Sequence, residues 1–206
     1  MPKETFLNLP EEKQNRIIEA ALDEFARQSY EKARVTVIAR EAEIATGSFY
    51  QYFQDKKDLF KYIADKMASK KLDYIDQDMR QKKEDYDFIQ LLREMYLSGF
   101  KFARENPRLV ALGNNILKNE ELRQEIWKEQ EQETSQFFQR MLEEGQQKGD
   151  LDPEIDPYLV AKLLTGLNQT LADIVHKEGL DLEDYEEEME IIENMLYFIK
   201  HGIVNS

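Results

Sequence analysis

Apolar residues recur at helical spacing along almost the whole chain of 206 residues. After Pro10, for example, Ile17, Ala21 and Phe25 stand four residues apart and would form one apolar stripe on a helix. Residues that interrupt helices are few, with 5 prolines and 8 glycines. No segment has the two-residue alternation that is typical of a half-buried strand. We therefore predict an all-α fold with about nine helices.

Capping residues and prolines predict where these helices begin. Pro10, followed by two glutamates, suits the first turn of a helix, Asp55 can cap the helix near Lys56, and Asp156 precedes a first-turn proline. The clearest interruption is the segment 143–157, which contains two glycines and two prolines. The predicted helices span about 10–28, 35–42, 46–53, 56–82, 85–105, 107–118, 120–147, 157–177 and 182–201.

Composition excludes several classes of protein and site. The chain has no cysteine, so disulfides, thiolate zinc sites and cysteine nucleophiles are excluded. It has no run of 18 apolar residues that could span a membrane, and its first residues lack the apolar core of a signal peptide. We expect a cytoplasmic protein with no membrane partner, no metal and no cofactor.

Charge is distributed unevenly along the chain. The formal net charge is -14, with 28 Lys and Arg against 42 Asp and Glu. Residues 1–60 contain 9 basic and 11 acidic side chains, which leaves 19 and 31 for the remainder. Any contact with nucleic acid is therefore expected in the nearly neutral first 60 residues.

Two short helices joined by a tight turn are predicted at 35–42 and 46–53, and a longer helix precedes them. This arrangement is typical of the helix-turn-helix, whose second helix enters the DNA major groove by its N-terminal end. Ala45, Thr46, Gly47 and Ser48 stand at that end, and their small side chains would let the backbone approach bases and phosphates. Because glycine is unfavourable inside a helix, close approach to DNA explains Gly47.

The aromatic residues of the second helix divide between its two sides. Phe49 and Phe53 are four residues apart and are expected to pack inward against Phe25 and neighbouring apolar residues. Tyr50 and Tyr52 fall on other faces, where their hydroxyls could point towards phosphates.

The segment from Arg16 to Phe60 resembles the DNA-binding domain of the tetracycline-repressor (TetR) family. The matching features are Ile-Ile-x-Ala-Ala, Phe25, Ile38-Ala39, Ala42, Gly47-Ser48-Phe49-Tyr50-x-Tyr52-Phe53, Lys56 and Leu59. The resemblance implies a DNA-binding domain at 10–60, with the helix-turn-helix at about 34–53, followed by a helical effector-binding and dimerisation domain at 61–206.

The same resemblance implies roles for individual residues. Arg34 and Thr36 would contact phosphates, and Ala45, Thr46, Gly47 and Ser48 would face the groove, with Thr46 as the base reader. Tyr50, Gln51 and Tyr52 would hold phosphates or base edges, and Lys56 would be the family's backbone-binding lysine.

Three positions depart from the family pattern. Glu43 replaces the usual glycine of the turn, Ala45 replaces a serine cap, and Ser29 replaces a glycine before Tyr30. A left-handed Glu43 would be strained by about 1 kcal/mol and would bring a carboxylate near DNA. The missing cap at Ala45 is worth about 1 kcal/mol.

In this family the remaining helices dimerise and enclose a small-molecule site. The segments 158–175 and 189–203 have apolar residues on more than one face, so part of that surface is expected to pair with a second copy. The candidate dimerisation residues are Leu163, Leu167, Leu171, Ile192, Leu196 and Ile199. The candidate effector-binding residues are Tyr96, Phe100, Trp127, Phe137, Phe138 and Asn168.

The expected function is a DNA-binding, ligand-responsive repressor that acts as a homodimer on a palindromic operator. A helical enzyme such as a ferritin-like oxidase needs two Glu-x-x-His pairs, and neither His176 nor His201 has a glutamate three residues earlier. No catalytic residue is predicted. The alternative left open is an acidic helical interaction protein whose DNA binding has degenerated, because Glu43 and Ala45 depart from the family pattern.

Overall fold

The computed structural model describes residues 1–80, 85–178 and 185–203, and it confirms the all-α fold. These residues form ten helices, one more than predicted, because a four-residue helix precedes Pro10. The helices are α1 (Glu4–Leu7), α2 (Glu11–Arg27), α3 (Val35–Glu41), α4 (Thr46–Tyr52), α5 (Lys56–Arg80), α6 (Phe88–Glu105), α7 (Pro107–Lys118), α8 (Glu120–Lys148), α9 (Pro157–Glu178) and α10 (Tyr185–Ile203). The predicted start of the last helix, at 182, lies outside the described residues.

Three helices begin at or next to the residues that the sequence indicated. Pro10, expected in the first turn of α2, is its N-cap, and the acidic pair that follows it lies in the first turn, at the positive end of the helix dipole. Asp55 accepts a hydrogen bond from the Asp58 N–H at 2.8 Å, and Asp156 accepts one from the Tyr158 N–H at 2.9 Å. Each carboxylate satisfies an N–H that has no partner inside its helix.

The chain divides into two compact units. The first, unit 1, consists of Met1–Lys70 and Asn106–Ile126, and the second, unit 2, consists of Lys71–Glu105 and the described residues from Trp127 onwards. Each unit is therefore built from two separate stretches of chain. This division differs from the continuous boundary at residue 60 that the sequence suggested.

Unit 1 has a core of aromatic residues. The side chains of Phe6, Phe25, Phe49, Phe53 and Phe60 are all 0 % exposed. The Phe25 and Phe60 rings meet edge to face with centroids 4.8 Å apart, and the Phe6 and Phe53 centroids are 4.7 Å apart. These separations are typical of favourable aromatic pairs.

Helix α7 belongs to unit 1 through polar contacts with α2 and the connection after it. Asn115 is buried, and its Nδ2 donates to the carbonyl oxygens of Phe25 at 2.7 Å and Gln28 at 3.1 Å. Its Oδ1 accepts the Tyr30 N–H at 3.1 Å. The Arg108 guanidinium lies 2.9 Å from the Asp23 carboxylate. A helix that is distant in sequence therefore supports the base of the helix-turn-helix.

Unit 2 encloses a core rich in phenylalanine and methionine. Its buried residues include Phe88, Phe137, Phe138, Met79, Met95, Met141 and Met195. The Arg93 guanidinium on α6 lies 2.9 Å from Glu193 on α10, and Arg104 on α6 pairs with the buried Glu188. Two ion pairs thus join α6 to α10.

None of the helices in the described ranges combines the length and the apolar character needed to cross a membrane.

Candidate nucleic-acid interface

The turn between α3 and α4 is a Schellman motif with a glutamate at its left-handed position. The Ile44 N–H donates to the Ala39 carbonyl at 2.9 Å, and the Glu43 N–H donates to the Arg40 carbonyl at 3.1 Å. Glu43 has a φ of 56°, the left-handed conformation expected at this position. Because a side chain is unfavourable there, the turn is strained by about 1 kcal/mol relative to glycine. The Glu43 carboxylate lies 3.4 Å from the Arg16 guanidinium.

The N-terminal end of α4, residues Ala45–Ser48, is open to solvent and is called the α4 tip below. Ala45 is the N-cap and supplies no side-chain cap, as the sequence indicated. Ala45, Thr46 and Gly47 are exposed, and a Cβ added to Gly47 would meet no atom within 4 Å. The first N–H groups of a helix point out of its end without intrahelical partners. The tip therefore offers small side chains and backbone donors to an approaching molecule.

The aromatic residues that hold α4 in place are the predicted ones, with one correction. Phe49 and Phe53 are fully buried in the core of unit 1, and Tyr50 is 51 % exposed. Tyr52, however, is 7 % exposed, so its expected outward orientation is wrong. Its ring centroid lies 6.2 Å from that of Phe6, because α1 covers this side of α4.

A basic cleft lies beside the start of α3. Arg34 is the N-cap of α3, and its backbone N–H is held at 3.0 Å by the buried Glu24 carboxylate. Thr36, in the first turn, is exposed. The cleft is lined by Glu24, Gln28, Lys32, Arg34, Val37 and Arg40. Lys32 and Arg40 were missed by the sequence analysis, and the excess of Lys and Arg over 32–40 is the signal that could have identified them.

Lys56 has a structural role that differs from the expected one. Its ammonium donates to the carbonyl oxygens of Tyr30 at 2.5 Å, Glu31 at 3.2 Å and Ala33 at 3.0 Å. These bonds use all three of its N–H donors. Desolvation by burial lowers the pKa of Lys56, and the ammonium also lies 4.5 Å from the centre of the Tyr30 ring. In the protein without DNA, Lys56 therefore fixes the connection between α2 and α3.

The candidate effector residues all lie in unit 2. Tyr96, Phe137 and Phe138 are buried in its core, whereas Phe100, Trp127 and Asn168 are partly buried. The Tyr96 hydroxyl is buried and has no hydrogen-bond partner among the described residues. Burial raises the pKa of this hydroxyl, so it stays protonated and is a donor. An unpaired buried hydroxyl is costly in a folded protein, so this donor is available to an accepting group.

The candidate dimerisation residues divide between surface and core. Leu163 is 64 % exposed, and Leu167 and Leu171 are partly buried. Ile192, Leu196 and Ile199 are 0 %, 4 % and 4 % exposed, so the prediction that they face a second copy is wrong. They share the stripe of α10 that packs into the core of unit 2. Among the α10 side chains that the structure describes, the exposed apolar ones are instead Tyr197 and Phe198.

Comparison with known proteins agrees with the geometry of unit 1. Residues 17–63 match the family described as "Bacterial regulatory proteins, tetR family". A solved TetR family transcriptional regulator from Chloroflexus aurantiacus J-10-FL is 30% identical, with 100% of both chains covered and a TM-score of 0.57. The chain belongs to the TetR family. TetR-family proteins are transcriptional regulators and not enzymes.

Two curated TetR-type regulators differ in how much of the chain they match. The HTH-type transcriptional regulator HbdR from Aromatoleum sp. (strain CIB) is 47% identical over 51 residues, which are 25% of this chain and 22% of that protein. The fatty acid metabolism regulator protein of Bacillus subtilis (strain 168) is 25% identical over 150 residues, which are 73% of this chain and 76% of that protein. Sequence similarity to HbdR is thus confined to a short segment, whereas the second match covers most of both chains.

Proposed function

We propose that this TetR-family chain is a ligand-responsive repressor that binds a palindromic operator as a homodimer. The α4 tip is the observation that carries the proposal. It is exposed and composed of small residues, and the helix behind it is held by the buried Phe49 and Phe53. A rigid helix with a slender end is the form that enters a major groove.

Contacts with DNA divide between bases and phosphates. Thr46 presents a hydroxyl at the tip, where it can bond to a base edge, and the absence of a side chain at Gly47 lets the backbone come close. Ala45 and Ser48 complete the surface that faces the groove. The exposed Arg34, Thr36, Tyr50 and Gln51 are proposed to hold phosphates, together with Lys32 and Arg40 of the basic cleft.

Unit 2 supplies a surface for a second copy. We define the apolar surface as the exposed residues Tyr158, Leu159, Leu163 and Ile174 of α9 with Tyr197 and Phe198 of α10. Leu159, Leu163 and Ile174 lie on one side of α9 by helical repeat, and each is at least 41 % exposed. Exposed apolar residues concentrated on two helices are typical of an interface. A two-fold dimer then places two α4 tips at half-sites one helical turn apart or a multiple of it.

The effector is proposed to bind in unit 2, with Tyr96 as a hydrogen-bond donor beside Phe137 and Phe138. The similarity to the fatty acid metabolism regulator protein, and the fold shared with the transcriptional regulator FadR from Bacillus subtilis that was solved in complex with stearoyl-CoA, make a long-chain fatty acid or its thioester the first class to test. The core of unit 2 contains four buried methionines, whose flexible side chains can rearrange around an acyl chain. For a thousandfold loss of operator affinity, the effector must bind the released state more tightly by about 4 kcal/mol.

The experiment that tests this function begins with selection of bound sequences from a pool of random duplex DNA. The affinity of the selected duplex is then measured between 50 and 200 mM salt. A protein with 6–10 phosphate contacts loses about a thousandfold or more over this range. Thr46→Ala should relax the preference for the selected sequence, whereas Thr134→Ala on α8 of unit 2 should not change it. If the wild-type protein selects no sequence and binds duplex DNA no better than other acidic proteins do, the alternative of a degenerate interaction protein holds.

A further inference from the structure

The carbonyl oxygens at the end of α4 are satisfied from outside the helix. The last four carbonyls of any helix have no intrahelical donor. In α4 the first of these, that of Phe49, accepts the Phe53 N–H at 2.9 Å. The other three accept donors from the start of the chain: Lys3 Nζ to Tyr50 O at 2.7 Å, Thr5 Oγ1 to Gln51 O, and Lys3 N–H to Tyr52 O at 2.8 Å.

The segment that supplies these donors is itself anchored. Phe6 is 0 % exposed, and its ring centroid lies 4.7 Å from Phe53 and 5.5 Å from Tyr62. On the other side, Gln14 Nε2 donates to the carbonyl oxygens of Leu7 at 3.1 Å and Leu9 at 2.9 Å. The segment is therefore held by a buried ring and by side-chain hydrogen bonds to its backbone, so its donors have a fixed position relative to α4.

Helix α4 needs such support because it is only 7 residues long. A helix of this length is not stable by itself in water, since few internal hydrogen bonds offset the ordering of its backbone. No basic residue lies in its own last turn. The Lys3 ammonium takes that place, where a positive charge is favourable at the negative end of the helix dipole.

We propose that residues 3–6, the N-terminal clip, position the recognition helix for DNA. The clip fixes the C-terminal end of α4, and the direction of the helix axis sets where the α4 tip meets the groove. Lys3 and Thr5 are thus positioning residues that act through α4 and do not contact DNA. The proposal rests on the proposed function for its effect on DNA, but the effect on α4 can be measured without DNA.

The first measurement is amide hydrogen exchange on the full-length protein without DNA. Thr5→Val removes the hydroxyl donor and keeps a β-branched side chain of similar size, and Lys3→Gln removes the ammonium. Each change should lower the protection of the amides of residues 50–53 by about tenfold, while the amides of unit 2 stay unchanged. Lys3→Arg retains a long cationic donor and should restore protection. Leu7→Ala, at an exposed position of α1, the helix that also contains Thr5, is the matched control.

The second measurement is affinity for the selected duplex and for a scrambled duplex of equal length. Thr5→Val and Lys3→Gln should weaken binding to the selected duplex by about tenfold and leave binding to the scrambled duplex nearly unchanged. The slope of log affinity against log salt should match that of the wild type. If Lys3 contacted a phosphate directly, the slope for Lys3→Gln would instead fall by about 0.9.

Three results would overturn the proposal: unchanged exchange in α4 for both variants, equal affinity for the selected duplex, or the reduced salt slope for Lys3→Gln. Failure of the wild-type protein to bind any duplex overturns the proposed function and, with it, the effect of the clip on DNA. The exchange result would still decide whether the clip holds α4.

Discussion

The Asn115 side-chain amide donates a hydrogen bond of 2.7 Å to the Phe25 carbonyl oxygen, although 90 residues separate them in the chain. The same side chain also bonds to Gln28 and Tyr30, so it satisfies three backbone groups where α2 ends. Through this residue, α7 becomes part of the unit that carries the helix-turn-helix.

Replacement of Asn115 by leucine should destabilise unit 1. The change leaves two carbonyls and one N–H without their partner, and we expect the free energy of unfolding to fall by about 2–3 kcal/mol. Arg108→Gln breaks the exposed ion pairs of the same helix with Glu19 and Asp23 and should cost under about 1 kcal/mol. Urea unfolding of both variants measures the difference. Equal losses of unfolding free energy would show that the hydrogen bonds of the buried Asn115 amide contribute no more to stability than the surface ion pairs of Arg108.

Gly47→Ala should have opposite effects on stability and on DNA binding. The added Cβ meets nothing within 4 Å, so alanine should stabilise the free protein by about 0.5–1 kcal/mol. The same methyl group should reduce operator affinity, because it occupies the space needed for close approach. Gly113→Ala on α7 is a matched control with equal space around its Cβ. It should stabilise the protein without weakening DNA binding, and parallel behaviour of the two variants would contradict a close approach at Gly47.

Glu43→Gly should stabilise the turn between α3 and α4. Glycine adopts the left-handed conformation without strain, so this variant should be more stable than Glu43→Ala by about 1 kcal/mol. Both variants remove a carboxylate that the proposed complex brings near DNA, and both should bind the operator more tightly at low salt. Thermal unfolding and operator binding check the two effects separately. A Glu43→Ala variant as stable as Glu43→Gly would show that the left-handed residue is not strained.

Lys56→Met should reduce stability, with little effect on the salt dependence of DNA binding. The three carbonyl oxygens that accept from its ammonium would lose their donor, at a cost of about 1–3 kcal/mol. Lys57→Met, next in the chain, removes a partly exposed ammonium that pairs with Glu121 and Glu125, and should cost less. If Lys56→Met lowers the salt slope by about 0.9 and leaves stability unchanged, the lysine contacts a phosphate after all.

Phe198→Glu combined with Leu163→Glu should convert the proposed dimer to monomers. Both side chains are exposed in unit 2, at 72 % and 64 %, and two buried carboxylates in the apolar surface would disfavour association. Leu7→Glu introduces the same charge at an exposed leucine of unit 1 and should leave the dimer intact. Mass measured by light scattering during gel filtration distinguishes the two states. A wild-type protein that is monomeric at micromolar concentration would contradict the dimer itself.

Most helix starts and part of the aromatic core of unit 1 could be predicted from the sequence. Asp55 and Asp156 cap the helices they were expected to cap, and Phe49 and Phe53 are buried as their spacing indicated. Glu43 is left-handed, the case for which the sequence analysis gave the strain, because it occupies the position where the family usually has glycine. Each of these features depends on residues within a few positions of one another, where local geometry sets the outcome.

Other features depended on which parts of the chain meet in the folded protein. The periodicity of α10 placed Ile192 on an apolar stripe, but it did not show whether unit 2 or a second copy covers that stripe. Tyr52 became buried because a short helix that precedes Pro10 packs against it. The carbonyl oxygens that accept hydrogen bonds from Lys56 lie 23 to 26 residues earlier in the chain, and those that accept from Asn115 lie 87 to 90 residues earlier. Burial and hydrogen bonding at such separations arise from packing, and a pattern along the chain does not specify its partners.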